Sequence, residues 1–253
     1  MVVYRTDHNP SVYGAERPRV VPKFNQGHRL VFVAQHVALI VPVRGFDDAK
    51  SRLSSVLNPS QRRALAQNCA RAVLTRTASC SRFVVCDSEE VAQWALSLDV
   101  TPIRVSSQGL NASLTESIPL ISAHSPVDLF LISHADLPLS GPLDDIIKSV
   151  NIEGVSIESA QSDTHETAII MCPDRHGDGT NVLGIPSSLI NSWTFQYGQG
   201  SFARHMQQAK ATGLPIRVIE DRDIGLDLDT PDDLQHSELI DILPTLIPDW
   251  TNP

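Results

Sequence analysis

The chain has 253 residues, 42% of them hydrophobic, enough for one substantial core, and length alone allows one or two domains. Its formal net charge is -9 and its pI about 5.4, which argues against a nucleic-acid or anionic-membrane partner, because both favour a basic stripe. No window is long and apolar enough to span a membrane, no secretory signal opens the chain, and the four cysteines form no Cys-x-x-Cys pair; a cytoplasmic protein with reduced, mostly buried thiols and no zinc site is expected.

Residues 1–35 are polar, contain Pro10, Pro18 and Pro22 and keep no period, so they read as a flexible extension. A single domain is predicted over 36–245, with 246–253 as a tail. Val37 to Val43 is a near-continuous apolar run, as expected of a parallel strand covered on both faces. Residues 59–78 carry helical spacing, with Leu65, Cys69, Ala72 and Val73 on one face. Phe83 to Cys86 is the next strand, Val91 to Leu98 a helix, and Pro102 to Val105 a third strand. A helix from Asn111 to about Ser122 follows, which Pro119 should kink or shorten. Asp128 to Ser133 is the clearest strand of all.

Strands alternating with helices over this half mean βαβ units, a mainly parallel sheet and an open α/β sandwich. Ligands of such sheets bind beyond the carboxyl ends of the strands. The second half is less regular. Glu166 to Met171 and Val182 to Ile185 read as strands flanking a glycine loop. Ser201 to Thr212 reads as a helix with Ser201 at its N-cap and Gly213 ending it. Pro215 to Ile219 is a strand, and Thr230-Pro231-Asp232-Asp233 opens a last helix.

The residue types that carry chemistry follow strands. Arg44, Lys50 and Arg52 lie in a loop after the first strand and could hold a triphosphate, although a basic surface turn has the same composition. The loop is neither a Walker loop nor a Gly-x-Gly-x-x-Gly motif. Asp136 follows the strand that ends at Ser133. Asp227 and Asp229 are two residues apart, so in extended chain they point to the same side. The three carboxylates could hold magnesium through oxygen; equally, Asp229 could assist a helix cap and Asp227 could be a solvated loop acid. Two glycine-bearing segments, Pro173 to Asn181 and Tyr197 to Phe202, could bring backbone amides close to an anion, or be two ordinary turns. His176 and His205 lie beside them as hydrogen-bond donors or as surface histidines.

In this order, the basic loop, Gly109-Leu110-Asn111, Asp136-Leu137-Pro138, Gly177-Asp178-Gly179-Thr180-Asn181, Tyr197-Gly198-Gln199-Gly200-Ser201-Phe202 with His205, and Asp227-Leu228-Asp229-Thr230-Pro231 resemble the 2-phospho-L-lactate guanylyltransferase family. The resemblance covers about residues 37–240. It implies a three-layer α/β sandwich of the nucleotide-diphosphate-sugar transferase type, Rossmann-like. It implies a reaction in which a phosphorylated C3 acid (2-phospho-L-lactate, phosphoenolpyruvate or 3-phospho-D-glycerate) attacks the α-phosphate of GTP, in coenzyme F-420 biosynthesis. Carried over by position, Asp136, Lys50 and Arg52 are catalytic. Thr180, Gly198 and Ser201 bind the acceptor, and Arg44, Lys50, Arg52, Gly109 and Asn111 bind GTP. Asp136, Asp227 and Asp229 hold Mg2+. Family members are often homodimers. Arg44 departs from the pattern, which more often has lysine there.

Two other readings stay open at this point. One is a related nucleotidyltransferase acting on another acceptor such as a molybdopterin; the shorter glycine content after the first strand speaks against it. The other is a nucleotide-binding module without catalysis, for which Asp136 would be dispensable.

Overall fold

The computed structural model describes residues 2–6, 36–47, 49–77, 80–141, 143–152 and 168–250. Residues 7–35 of the expected extension, Asp48 of the basic loop, Ala78 at the end of the first expected helix, Glu166 and residues 251–253 lie outside them.

Among the described residues eight strands form one sheet in the order β1-β8-β6-β7-β5-β2-β3-β4. They are β1 (Val2–Thr6), β2 (Val37–Pro42), β3 (Ser81–Cys86), β4 (Thr101–Arg104), β5 (Leu129–Ser133), β6 (Ile169–Pro173), β7 (Thr180–Pro186) and β8 (Ile216–Asp221). All neighbours are parallel except β7, which runs antiparallel to both β5 and β6. The helices are α1 (Pro59–Thr75), α2 (Glu89–Leu96), α3 (Leu110–His124), α4 (Leu143–Ile152), α5 (Ser187–Ile190), α6 (Ser201–Thr212), α7 (Ser237–Ile240) and α8 (Leu243–Leu246). Among the described residues no helix is long and apolar enough to cross a membrane.

The apolar run of β2 explains the layering. Val37, Leu39 and Val41 face one core with Val73 and Leu74 of α1, Val91 and Ala95 of α2, and Ile146 of α4. Ala38 and Ile40 face the other, with Leu114, Ile118 and Ile121 of α3 and Ala209 of α6. Both faces of the sheet are therefore covered by helices, which is the predicted three-layer α/β sandwich. Local signals start the helices. Asn58 and Gln61 form a reciprocal capping box on α1 with Pro59 at its first position. Ser88 caps α2 ahead of Glu89 and Glu90.

Several expectations need correction. Residues 2–6 are not extension but an edge strand paired with β8. Pro119 does not shorten α3, which runs on to His124. An interior proline costs about 3 kcal/mol, whereas burying Leu114, Ile118 and Ile121 contributes about 1.5–3 kcal/mol each, so packing wins. Ser201 is the first residue of α6 and Gly200 is its N-cap. Thr230 opens no α-helix: the buried Asp233 carboxylate accepts the N–H groups of Asp229 and Thr230 and the Thr230 hydroxyl, and only a 3-10 turn over Asp233–Gln235 follows. The expected tail starts too early, because Leu246 and Ile247 are buried against Leu65 and Cys69 of α1. The four cysteines are free, as expected, and burial pushes the Cys69 thiol up to about 12.

A candidate active site at the carboxyl edge of the sheet

The loop after β2 is anchored by Phe46, which is buried edge-on against Trp94 at 5.2 Å with the Arg63 guanidinium over its ring. This fixes where Lys50 begins the turn over Ser51–Leu53. Lys50 adopts the left-handed conformation (φ 54°, ψ 39°), uncommon for a residue with a side chain. Its side chain turns inward and is 8% exposed, with Nζ 2.8 Å from Asp136 Oδ2 and 3.8 Å from Asp229 Oδ1. Arg52 Nη1 lies 2.7 Å from Asp229 Oδ2, on the outer side of the cluster. Arg44 is exposed on the same loop.

The acidic half is set by packing. Leu226 and Leu228 are buried in the cluster that joins α1 to the C-terminal segment, so the alternating Asp227 and Asp229 turn to the opposite side, as their spacing predicts. The Leu228 N–H donates to the Asp136 carbonyl at 3.0 Å and splices the two acidic segments together. Burial pushes the Asp136 carboxyl up, but the Lys50 charge, assisted by His134, outweighs it and holds the acid below its ordinary value. Burial likewise works against charge on Lys50, and Asp136 more than reverses it. Asp227 is raised by burial and then by the neighbouring Asp136 charge.

Among the described residues no three His, Cys, Asp or Glu side chains converge on one metal position. Lys50 stands between Asp136 and Asp229 instead. Yet Asp136 Oδ1 is buried without a hydrogen-bond partner, and the Asp136 charge acts on Asp227 as a like neighbour. An oxygen-loving divalent cation fits that pair of carboxylates, and Asp229 is shared with Arg52 and Lys50.

The glycine loops are built differently from the sequence expectation. The Asp174 carboxylate accepts the N–H groups of His176, Asp178 and Gly179. The Asp178 carboxylate accepts the Gly200 N–H, and the Asp178 carbonyl accepts the Phe202 N–H. The amides of His176, Asp178, Gly179 and Gly200 are thus occupied by the protein's own carboxylates. Glycine is needed there all the same: a Cβ on Gly179 would sit 2.7 Å from Asp174 Oδ2, and Gly198 holds φ 120°.

What remains for an acceptor is a set of side chains. The Thr180 N–H donates to Ser201 Oγ at 3.1 Å, and Thr180 Oγ1 lies 3.1 Å from His205 Nδ1. Thr180, Ser201 and His205 are buried, so His205 is not a surface histidine, whereas His176 is exposed and accepts from Arg175 Nε. Asn111, expected near the nucleoside, uses both ends of its amide on the Tyr197 backbone and ties α3 to the Tyr-Gly turn. Gly109, at φ 88°, is the N-cap of that helix.

The two halves meet through His134. Its Nδ1 lies 3.9 Å from Asp136 Oδ1, its ring is 5.4 Å from Tyr197, and Tyr197 is 4.9 Å from His205. The His134 N–H also donates to the Asn181 carbonyl. Thr180 and Asp136 therefore share one edge of the sheet. Sequence reasoning missed His134 and the Tyr197 hydroxyl as members of this wall, although His134 stands two residues before Asp136 at a strand end. Their Nε2 and Oη atoms are buried without partners. It also missed Asp174 and Asp178 as loop builders; the Asp178-Gly179 pair is a turn signal for the second, and Asp174 carries none.

Burial, then Arg204 and His134, push His205 down to about 4 from the ordinary 6.5. Between those values the unfolded chain binds the extra proton, so the stability due to neutral His205 is complete above the upper value and fades as pH falls toward the lower. The melting temperature is expected to decline across this window more steeply in the wild type than in His205→Gln. Equal slopes would contradict the burial of a neutral imidazole.

A family model described as guanylyl transferase CofC like matches residues 37–240. The phosphoenolpyruvate guanylyltransferase of Sphaerobacter thermophilus is 31% identical over 202 residues, covering 78% of this chain and 90% of its own. The 2-phospho-L-lactate guanylyltransferase of Methanocaldococcus vulcanius is 28% identical over 197 residues, covering 78% and 81%. Among solved structures, a protein of Desulfovibrio desulfuricans provisionally described as a nucleotide-diphospho-sugar transferase superposes with a TM-score of 0.60, covering 80% of this chain and 87% of its own. At 11% identity that likeness concerns the fold alone.

Proposed function

The chain belongs to the CofC-like guanylyl transferase family, a group of nucleotidyltransferases, and from that premise we propose that it joins GTP to a small phosphorylated C3 acid. A phosphate oxygen of the acid attacks the α-phosphorus of GTP. The bond from α-phosphorus to the bridging oxygen breaks, and diphosphate leaves with that electron pair. A phosphate monoester has a second pKa of about 6, so the nucleophile is already largely a dianion near neutrality and needs no general base. Catalysis is then a matter of positioning and of neutralising charge.

One observation carries the reading: a buried lysine clamped between Asp136 and Asp229, on the same sheet edge as the Thr180 and Ser201 hydroxyls. Lys50, with Arg52 and Arg44, holds the phosphates of GTP. Asp136, Asp227 and Asp229 would hold magnesium, which when bound neutralises charge on the triphosphate and the departing diphosphate. Thr180, Ser201 and the Gly198 turn hold the acceptor. Because Thr180 and Ser201 are closed off from solvent, the acceptor reaches them as the groups around them give way. The relative named for phosphoenolpyruvate, at 31% identity, favours that acid as acceptor. The product then feeds coenzyme F-420 biosynthesis.

Diphosphate release is the test, crossing phosphoenolpyruvate, 2-phospho-L-lactate and 3-phosphoglycerate with GTP, ATP and CTP in the presence of magnesium. Turnover is expected with GTP and phosphoenolpyruvate. Silence with all three acids would overturn the proposal.

A further inference from the structure

The proton ledger around Thr180 has one consequence for how the acceptor is held. The Gln196 N–H donates to His205 Nε2 at 3.1 Å. A ring nitrogen accepts only when it carries no hydrogen, so the single proton of neutral His205 sits on Nδ1. At 3.1 Å from Thr180 Oγ1, Nδ1–H is therefore the donor and the threonine oxygen the acceptor. The hydroxyl cannot return its own proton to the ring. Its backbone N–H is already spent on Ser201 Oγ. Among the described residues the Thr180 hydroxyl proton has no acceptor, although the residue is fully buried. A buried donor without a partner costs about 1–3 kcal/mol, which a ligand oxygen would recover.

The apparatus that fixes the ring is extensive. Arg204 donates to the carbonyls of Gln196 and Gln199, holding the turn whose Gln196 N–H selects the tautomer. Tyr197 packs edge-on against the imidazole at 4.9 Å, and Trp193 lies 6.2 Å away. Protonating Nε2 would set two hydrogens against each other across the Gln196 contact.

We propose that His205 is a positioning residue for guanylyl transfer: by donating Nδ1–H to Thr180 Oγ1, it turns the Thr180 hydroxyl proton toward an anionic oxygen of the acceptor. The inference rests on the acceptor site proposed above. His205 touches neither substrate and moves no proton in the reaction. Its effect falls on acceptor binding and orientation, not on GTP.

The tautomer is read first in the unmutated protein, by 15N NMR of the histidine ring nitrogens. His205 is expected with hydrogen on Nδ1 and none on Nε2; the reverse overturns the proposal. Substitutions then test the function. The amide nitrogen of asparagine lies near the place of Nδ1, and that of glutamine near Nε2. His205→Asn is expected to keep the acceptor KM within about threefold, and His205→Gln to raise it by about tenfold, the loss of one hydrogen bond to an anion. The GTP KM should stay unchanged in both. In a Thr180→Val background, His205→Gln should add no further loss, because the donor it removes has nothing left to orient. Equal effects of asparagine and glutamine, a parallel rise in the GTP KM, or an undiminished effect in the Thr180→Val background would each overturn the role of His205 while leaving an active enzyme. Failure of the acceptor reading itself would appear differently, as a wild-type protein that turns over none of the three acids.

Discussion

Asp136→Asn is expected to lower kcat/KM for diphosphate release by about a thousandfold. The residue lies three positions past the end of β5, the fully buried central strand, and its two oxygens do different work. Oδ2 neutralises Lys50 at 2.8 Å, while Oδ1 is buried with no hydrogen-bond partner and faces the cluster that Asp227 shares. Asparagine keeps the shape and removes the charge on both. The change also leaves Lys50 buried without its main counter-ion, which costs about 3–5 kcal/mol of stability. Rates are therefore to be compared well below the variant's melting temperature, with GTP binding measured alongside. A nucleotide-binding module without catalysis predicts an intact role for the variant. Retention of a tenth of wild-type turnover by a folded variant would sink the catalytic assignment.

Lys50→Met is expected to cost about a hundredfold or more in turnover, with acceptor binding nearly unchanged. Among the described residues Lys50 is the one cationic side chain within 4 Å of both Asp136 and Asp229, and it takes a left-handed backbone conformation there. The variant also makes a thermodynamic claim. Each single change, Lys50→Met or Asp136→Asn, strands one member of a buried ion pair. The double variant strands neither charge, so it is expected to be more stable than either single variant. Denaturant midpoints of the four proteins decide this. Simple additivity would mean that the pair is not coupled as drawn.

The layered half of the fold was legible because its signals are local. β2 reads as a buried parallel strand from its own residues, and α1 carries its cap, its proline and its apolar stripe within one segment. The carboxylate pair was legible for the same reason: Leu226, Asp227, Leu228 and Asp229 alternate, and burial of the leucines orients the acids. What was not legible depends on partners far apart in the chain. β1 finds its place only beside β8. The Asp178 carboxylate meets the Gly200 N–H across 22 positions, and no local pattern separates a glycine loop that cradles a ligand from one that cradles its own acid. Asp233 looked like a charge near a helix start, yet its three donors and Arg175 turn the chain into a tight bend. The conformation of Lys50 has no sequence signature, since lysine seldom takes it.

In the proposed reaction a single site does both tasks: the Lys50–Asp136 cluster holds the triphosphate and the Thr180–Ser201 pair holds the acceptor. A crystal structure with α,β-methylene GTP and phosphoenolpyruvate measures it directly. The α-phosphorus is expected beside Asp136 and Lys50, with an acceptor phosphate oxygen in line with it and the acid in contact with Thr180 and Ser201. An acid bound on another face of the sheet, or a triphosphate remote from Lys50, would contradict it.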